Sequence, residues 1–296
     1  MSLPGCAVLA QQLGEPTAGT ASAIRSWLLL EQRGPWSDGV REDVLARALP
    51  ADRLAELTRV RDADGLRPLL IRRPGRPRSG PLSVLLASSQ AGRLWVERRL
   101  VDDLSEIAGL DFAQVAAGQP GQGEPVTTPV FLVCTHGAKD LCCAVHGRPV
   151  ATALAAVALD AVWECTHLGG HRFAANVAVL PDGLMYGQVP AARVTEIAHA
   201  HADGRVVPDL LRGRTRDAPH VQAAEVALRR SRELTGLDDV TVLGTQPTEQ
   251  GVLVRLDARG TTVEMMVDEV TLGGSGISAC SGPSRPSMLR ARETGA

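Results

Sequence analysis

Pro129-Val-Phe-Leu-Val133-Cys134 is the stretch on which the reading of the fold turns. It is a short, continuous apolar run, the pattern of a strand covered on both faces of a sheet. A cysteine stands at its C-terminal end, where ligands bind in open α/β sheets. The chain then runs Thr135-His136-Gly137-Ala138-Lys139-Asp140-Leu141-Cys142-Cys143. A second strand is expected over 160–165, followed at once by Thr166-His167-Leu168-Gly169-Gly170-His171. Between the two strands, residues 149–159 read as a helix with Pro149 in its first turn, which leaves 135–147 as a loop. Of six cysteines and seven histidines in the chain, four of each lie between 134 and 171. The cysteines are not spaced like the framework of a small secreted domain, so their clustering favours metal or redox chemistry.

Working outward, strands and helices alternate on the N-terminal side. Trp27-Leu-Leu-Leu-Glu31 reads as a buried strand closed by Gly34-Pro35. Helices are expected over 39–49 and 52–61, strands at 68–71, 82–87 and 93–98, and a helix over 104–115. Arg72-Arg-Pro-Gly-Arg76-Pro-Arg78 reads as a solvated loop, and 118–125 as a linker. On the C-terminal side, 176–180 and 185–189 flank Pro181-Asp-Gly183 as a β-hairpin. A helix is expected from 190 to about 201, a loop over 204–213 and a helix over 219–234. Strand–loop–helix–strand–loop–hairpin–helix is the order of a thioredoxin-like layer. The expected class is α/β: an α/β domain over 1–122, itself thioredoxin-like if the alternation repeats, a thioredoxin-like domain over 126–235, and a C-terminal extension over 236–296. That extension reads as a small β-meander with a disordered polar end beyond 284.

The chain has 296 residues, 44% apolar and 22% charged, as ordinary globular proteins have. A net charge of −2 gives no reason to expect nucleic acid or an anionic membrane. No run of 18 apolar residues suggests a membrane span, and no basic-then-apolar leader is visible. A cytoplasmic, bacterial protein is expected, the latter from its abundance of Ala, Arg and Gly.

The donor types define the chemistry. Eight residues separate Cys134 from Cys143, enough to bracket a loop, and three, including Gly169-Gly170, separate His167 from His171. Two glycines disfavour a helix, at about 1 kcal/mol each, so a tight loop would aim both rings at one point. Thiolates hold iron clusters, and two imidazoles can replace two thiolates on one iron. Cys134, Cys143, His167 and His171 are therefore expected to hold an iron–sulfur cluster in a protein that moves electrons, with Cys142 and Cys165 as reserve ligands. The remaining imidazole nitrogens would couple electron uptake to proton uptake. The same donors would suit a Cys2His2 zinc site. A thiol–disulfide oxidoreductase is a further alternative, although the chain lacks the Cys-x-x-Cys pair expected of one. His136 and His146 read as loop or packing residues, and His199, His201 and His220 as solvent-facing.

Cys134-Thr-His-Gly-Ala-Lys-Asp-Leu-Cys-Cys143 and His167-Leu-Gly-Gly-His171-Arg-Phe-Ala-Ala-Asn176 resemble the sucrase/ferredoxin-like family. So do Leu180-Pro-Asp-Gly183, Tyr186-Gly187, Arg212-Gly-Arg214 with Val221-Gln-Ala-Ala-Glu225, and Trp27-Leu-Leu-Leu-Glu31 with Gly34-Pro-Trp36. The resemblance covers about 15–230, with Ala279-Cys280-Ser-Gly-Pro283 read as a less specific continuation of the pattern. It implies a thioredoxin-fold 2Fe–2S ferredoxin, not a sucrase, with cysteines at 134 and 143 and histidines at 167 and 171 as ligands. Cys142, directly before Cys143, departs from the pattern. A redox partner protein, reductase or acceptor, is expected.

Overall fold

The structure is a computed structural model that describes residues 5–75, 79–271, 276–279, 282–284 and 287–294. Residues 76–78 of the Arg-rich loop, and Cys280, lie outside the described residues. A short helix, α1 (Cys6–Gln12), precedes β1 (Ser26–Glu31), which is buried along its whole length. In α2 (Val40–Ala48), Glu42 and Asp43 in the first turn and Arg47 in the last complement the helix dipole. α3 (Ala51–Asp64) starts after Pro50 and ends on Gly65, whose φ of 72° closes it in the left-handed conformation. β2 (Leu66–Arg72) lies parallel to β1, with Leu29 opposite Leu69. The strands expected at 82–87 and 93–98 are β3 (Leu82–Gln90) and β4 (Arg93–Val101), which pair as a hairpin, β3 antiparallel to β1.

The helix expected over 104–115 is two pieces, a 3-10 turn Leu104–Gly109 and α4 (Phe112–Ala116). Asp103 and Asp111 each accept a backbone N–H from the turn that follows, so each starts its own helix, with an extended Leu110 between them. The stretch read as a linker contains β5 (Glu124–Pro125), paired to β4.

β6 (Val130–Cys134) leads to α5 (Leu141–Ala158) and to β7 (Val162–Cys165), which is parallel to β6. α5 begins eight residues before the position expected from Pro149. Its cap is Asp140, whose side chain accepts the Cys142 N–H at 2.9 Å. Pro149 sits inside the helix and donates no N–H to the Val145 carbonyl one turn back. Val145 is on the solvent side, 57% exposed, where water can serve that carbonyl. By length and composition this helix could also cross a membrane; here its Cys143, Gly147, Val150, Ala151 and Leu154 are buried.

β8 (Val177–Leu180) and β9 (Leu184–Tyr186) form the expected hairpin, and α6 (Val194–Ala202) follows. The end of the expected loop is instead a buried edge strand, β10 (Leu211–Arg214), paired with β9. Its two arginines are buried because polar partners surround them, a state that a run of Arg-Gly-Arg does not advertise.

All ten strands form one sheet in the order β10-β9-β8-β6-β7-β2-β1-β3-β4-β5. β2 and β7 meet antiparallel at its centre, Ile71 opposite Cys165. On each side the connectivity is the same: strand, helical crossover, parallel strand, then two antiparallel strands. This gives β2-β1-β3-β4 on one side and β7-β6-β8-β9 on the other. The halves meet edge to edge rather than layer on layer.

α7 (Pro219–Ser231) then carries β11 (Val240–Thr248), β12 (Gly251–Ala258) and β13 (Thr261–Thr271). β14 (Gly276–Ala279) and β15 (Gly282–Ser284) form a separate pair. The end expected to be disordered supplies β16 (Ser287–Glu293) to the edge of β13. Asp268 on β13 pairs with Arg290 at 2.6 Å, which makes this polar segment a good edge partner. The four-stranded sheet β11-β12-β13-β16 buries Val254, Leu256 and Met265 against Val221, Ala224 and Leu228 of α7.

Glu225 of α7 holds two buried guanidiniums through one oxygen, Arg229 at 2.9 Å and Arg214 of β10 at 3.1 Å. Burial pushes the Glu225 carboxyl up, but the two arginines outweigh it and hold it below the ordinary 4.5. The linked stability is complete above the unfolded value and is lost as pH falls through the lowered folded one. Glu225→Gln removes the carboxylate that two buried guanidiniums share and should cost about 3–5 kcal/mol, read as a lower urea midpoint with an unchanged slope.

Candidate metal centre

Strand ends and one helix start deliver the candidate ligands. Cys134 closes β6, and its N–H donates to the Asn176 carbonyl at 3.1 Å. The Thr135 N–H donates to the Cys165 carbonyl at 3.2 Å, so β6 and β7 stay side by side to their ends. Cys143 lies in the first turn of α5, its N–H on the Asp140 carbonyl at 3.1 Å. One turn further, Gly147 rests directly on β6: a Cβ there would overlap the Cys134 carbonyl oxygen. Gly147→Ala should therefore lever α5 away from β6 and separate Cys143 from Cys134. The expected cost is about 1–3 kcal/mol, seen as a lower Tm.

His167 and His171 are presented by a loop wrapped around a buried arginine. Gly169 and Gly170 have φ of 95° and 71°, and a Cβ on Gly170 would overlap the Arg212 guanidinium. Arg212 donates to the Gly169 carbonyl at 3.2 Å and to Asn176 Oδ1 at 2.7 Å. Asn176 Nδ2 in turn donates to the Gly170 carbonyl at 3.0 Å, and Ser22 Oγ to the Leu168 carbonyl at 2.7 Å. The turn folds back so that the two imidazoles face each other, ring centres 6.0 Å apart.

The ligand atoms of Cys134, Cys143 and His167 lie within 4.8 Å of one another, with Cys143 Sγ 3.7 Å from His167 Nδ1. His171 borders this group without joining it. Its Nδ1 is 3.6 Å from Asp140 Oδ2, and its Nε2 is buried with no hydrogen-bond partner. Of the reserve residues, Cys142 belongs to a second group with Cys6 and Asp140. Cys165 is in neither group, and burial pushes its thiol up. The hydrogen bond from Cys143 holds the Cys134 thiol well below its usual range, with help from His167. Sharing that proton, then burial, pushes Cys143 up.

Arg212 is a positive charge that interacts with both thiols of this pair. It is fully buried, and its hydrogen bonds go to neutral acceptors only: Thr20 Oγ1, the Thr20 and Gly169 carbonyls and Asn176 Oδ1. Burial, and then the charge of Arg172, push it down to about 9. The only signal of Arg212 and Asn176 in the sequence is that both stand in the strings that carry the resemblance. On the solvent side, a cleft of about 360 Å³ opens beside His167, lined by Asp38, Arg41, Arg67, His136 and Lys139 among others.

The other histidines have local duties. His136 Nε2 is 2.8 Å from the Ser37 carbonyl and its ring stands edge-on to Trp36. His146 is half-buried on α5, and His199 is exposed as expected. His201, expected to face solvent, is buried with Nε2 2.8 Å from Tyr186 Oη, and burial pushes it down to about 4. Its place on the inward stripe of α6, with Val194, Ile197 and Ala200, explains this.

Two cysteine sulfurs, an imidazole and a partnerless buried imidazole nitrogen beside them form a donor set for a soft or borderline transition metal, not for calcium or magnesium. No curated protein and no solved structure matches the chain. Residues 17–213, from ahead of β1 into β10, match the profile of a family described as sucrase/ferredoxin-like, and the stretch contains every one of these donors. The chain belongs to the sucrase/ferredoxin-like family.

Proposed function

We propose that this protein is a one-electron carrier whose 2Fe–2S cluster is held by Cys134, Cys143, His167 and His171, on a thioredoxin-like layer made by β6, α5, β7, β8, β9 and α6. The observation that carries the reading is the convergence of Cys134, Cys143 and His167 within 4.8 Å, with the buried Nε2 of His171 left without a partner beside them. Such a cluster, when bound, supplies reversible one-electron chemistry at a potential raised by imidazole in place of thiolate. The chain's residues do the rest. Gly147 lets Cys143 approach Cys134, and Asp140 stands by the His171 ring to orient it. Arg212 sets a fixed positive charge behind the loop. The cleft beside His167 is where a redox partner protein, reductase or acceptor, would come closest. The protein is read as a carrier rather than an enzyme. A cytoplasmic setting suits the described cysteines, all of which are thiols.

Absorbance and metal analysis of pure protein test this. A red-brown protein containing iron and acid-labile sulfide is expected. A colourless protein with zinc would instead favour a Cys2His2 zinc site, and a colourless, metal-free protein a thiol–disulfide oxidoreductase. Proton coupling resides on the imidazole nitrogens that face away from the metal, so the midpoint potential should fall as pH rises between about 6 and 10. A flat potentiometric titration over that range would remove the coupling and leave the carrier.

A further inference from the structure

A second pair of sulfurs meets beside the first. Cys6 of α1 and Cys142 of α5 are 136 positions apart, yet their Sγ atoms are 3.3 Å from each other. Both are buried, packed with Ala7 and Ala174. The approach is close enough to constrain the backbone: a Cβ on Gly5 would be 3.1 Å from the Cys142 sulfur. Further along the same segment, Glu15 pairs with Arg172 at 2.6 Å, and α1 packs on the 3-10 turn His171–Phe173. The N-terminal segment is thus a strap over the loop that carries His171, tied at one end by an ion pair and at the other by two thiols. Cys142 is the neighbour of Cys143 in sequence but belongs to this second group, with Cys6 and Asp140.

We infer that Cys6 and Cys142 form a reversible disulfide when the protein meets a peroxide, a covalent clasp between α1 and the first turn of α5. One sulfur attacks the peroxide O–O bond, giving a sulfenic acid and one water. The other sulfur then displaces the sulfenic hydroxyl as a second water and the S–S bond forms. Two thiols lose two electrons and two protons, and one peroxide becomes two waters. Closing from 3.3 Å to the bonded separation of about 2.05 Å is a movement that side-chain rotation and a small shift of the short helix α1 can supply. The inference does not depend on what Cys134 and Cys143 bind.

The test uses the full chain. Protein is treated with stoichiometric hydrogen peroxide, blocked with N-ethylmaleimide in denaturant, and mapped by tandem mass spectrometry without reductant. The expected result is a cross-linked peptide joining Cys6 to Cys142, two hydrogens lighter than the sum of its parts, that disappears on treatment with dithiothreitol. It should be absent from Cys6→Ser and from Cys142→Ser. Because Cys142 and Cys143 leave a tryptic digest on one peptide, Cys142→Ser separates them: a link to Cys6 that survives this change overturns the inference. So does alkylation of both Cys6 and Cys142 in treated wild-type protein, a result that requires no variant to fold.

Discussion

Cys134→Ser is expected to yield a folded protein with no colour, its iron falling from about two per chain to near none. Cys134 is the proposed ligand at the end of a central strand, between β7 and β8. It is also the thiol that its neighbours already favour as thiolate, through Cys143 and His167. A serine there offers a far weaker ligand to iron and leaves one hydroxyl in an apolar setting, at about 1–3 kcal/mol. The comparison that gives the experiment its force is Cys165→Ala. Cys165 is equally buried and lies opposite Cys134 in the β6–β7 register. It stands outside the donor group, and its thiol is pushed up by burial. That variant should keep its colour and lose only packing, about 1 kcal/mol. Iron analysis and the visible spectrum of both proteins decide between the two cysteines.

Arg212→Gln is expected to lower the reduction potential, by an amount corresponding to about a tenfold change in the reduction equilibrium, roughly 59 mV for one electron. The sign follows from charge. Reduction of the proposed cluster would add a negative charge to the site, and a buried guanidinium with no carboxylate among its hydrogen-bond partners favours the more negative state. Removing it takes that preference away. The same change leaves the Thr20 and Gly169 carbonyls and Asn176 Oδ1 short of a donor, so unfolding should become easier by about 2–4 kcal/mol. The potential separates the electrostatic role from the structural one. A variant that is less stable but has an unchanged potential would leave Arg212 as scaffolding for the Gly169-Gly170 turn. Potentiometry followed by optical absorbance makes the measurement.

The parts of the fold that could be read from the sequence are those where local pattern and tertiary role agree. Val130–Cys134 is a central strand because an unbroken apolar run fits nothing else of that length, and Ser26–Glu31 likewise. The hairpin across 180–184 was announced by its turn residues. What was missed depended on partners far away in sequence. The start of α5 was hidden by Gly147 and Pro149, because helix-breaking residues are tolerated when one meets a strand carbonyl and the other frees a carbonyl facing water. β10 was hidden by its arginines, whose acceptors come from Thr20, Gly169, Asn176 and Glu225. The matching connectivity of the two halves leaves no trace as a sequence repeat, since strand order is set by which edges meet.

The grouping of Cys134, Cys143 and His167 had a local signal in the sequence: thiol and imidazole donors close after strands, and two glycines between two histidines. Its surroundings had none. Nothing near Cys6 in the chain signals a sulfur 136 positions away, and the burial of His201 follows from helical phase rather than from residue type.

The most direct test of the account is hyperfine spectroscopy of the reduced wild-type protein. Electron-spin-echo measurements should detect two strongly coupled nitrogen nuclei on a 2Fe–2S signal, both lost when His167 and His171 are replaced by Cys with the cluster retained. A reduced protein with no such signal, or a cluster signal free of strong nitrogen coupling, would contradict the assignment of Cys134, Cys143, His167 and His171 as its ligands.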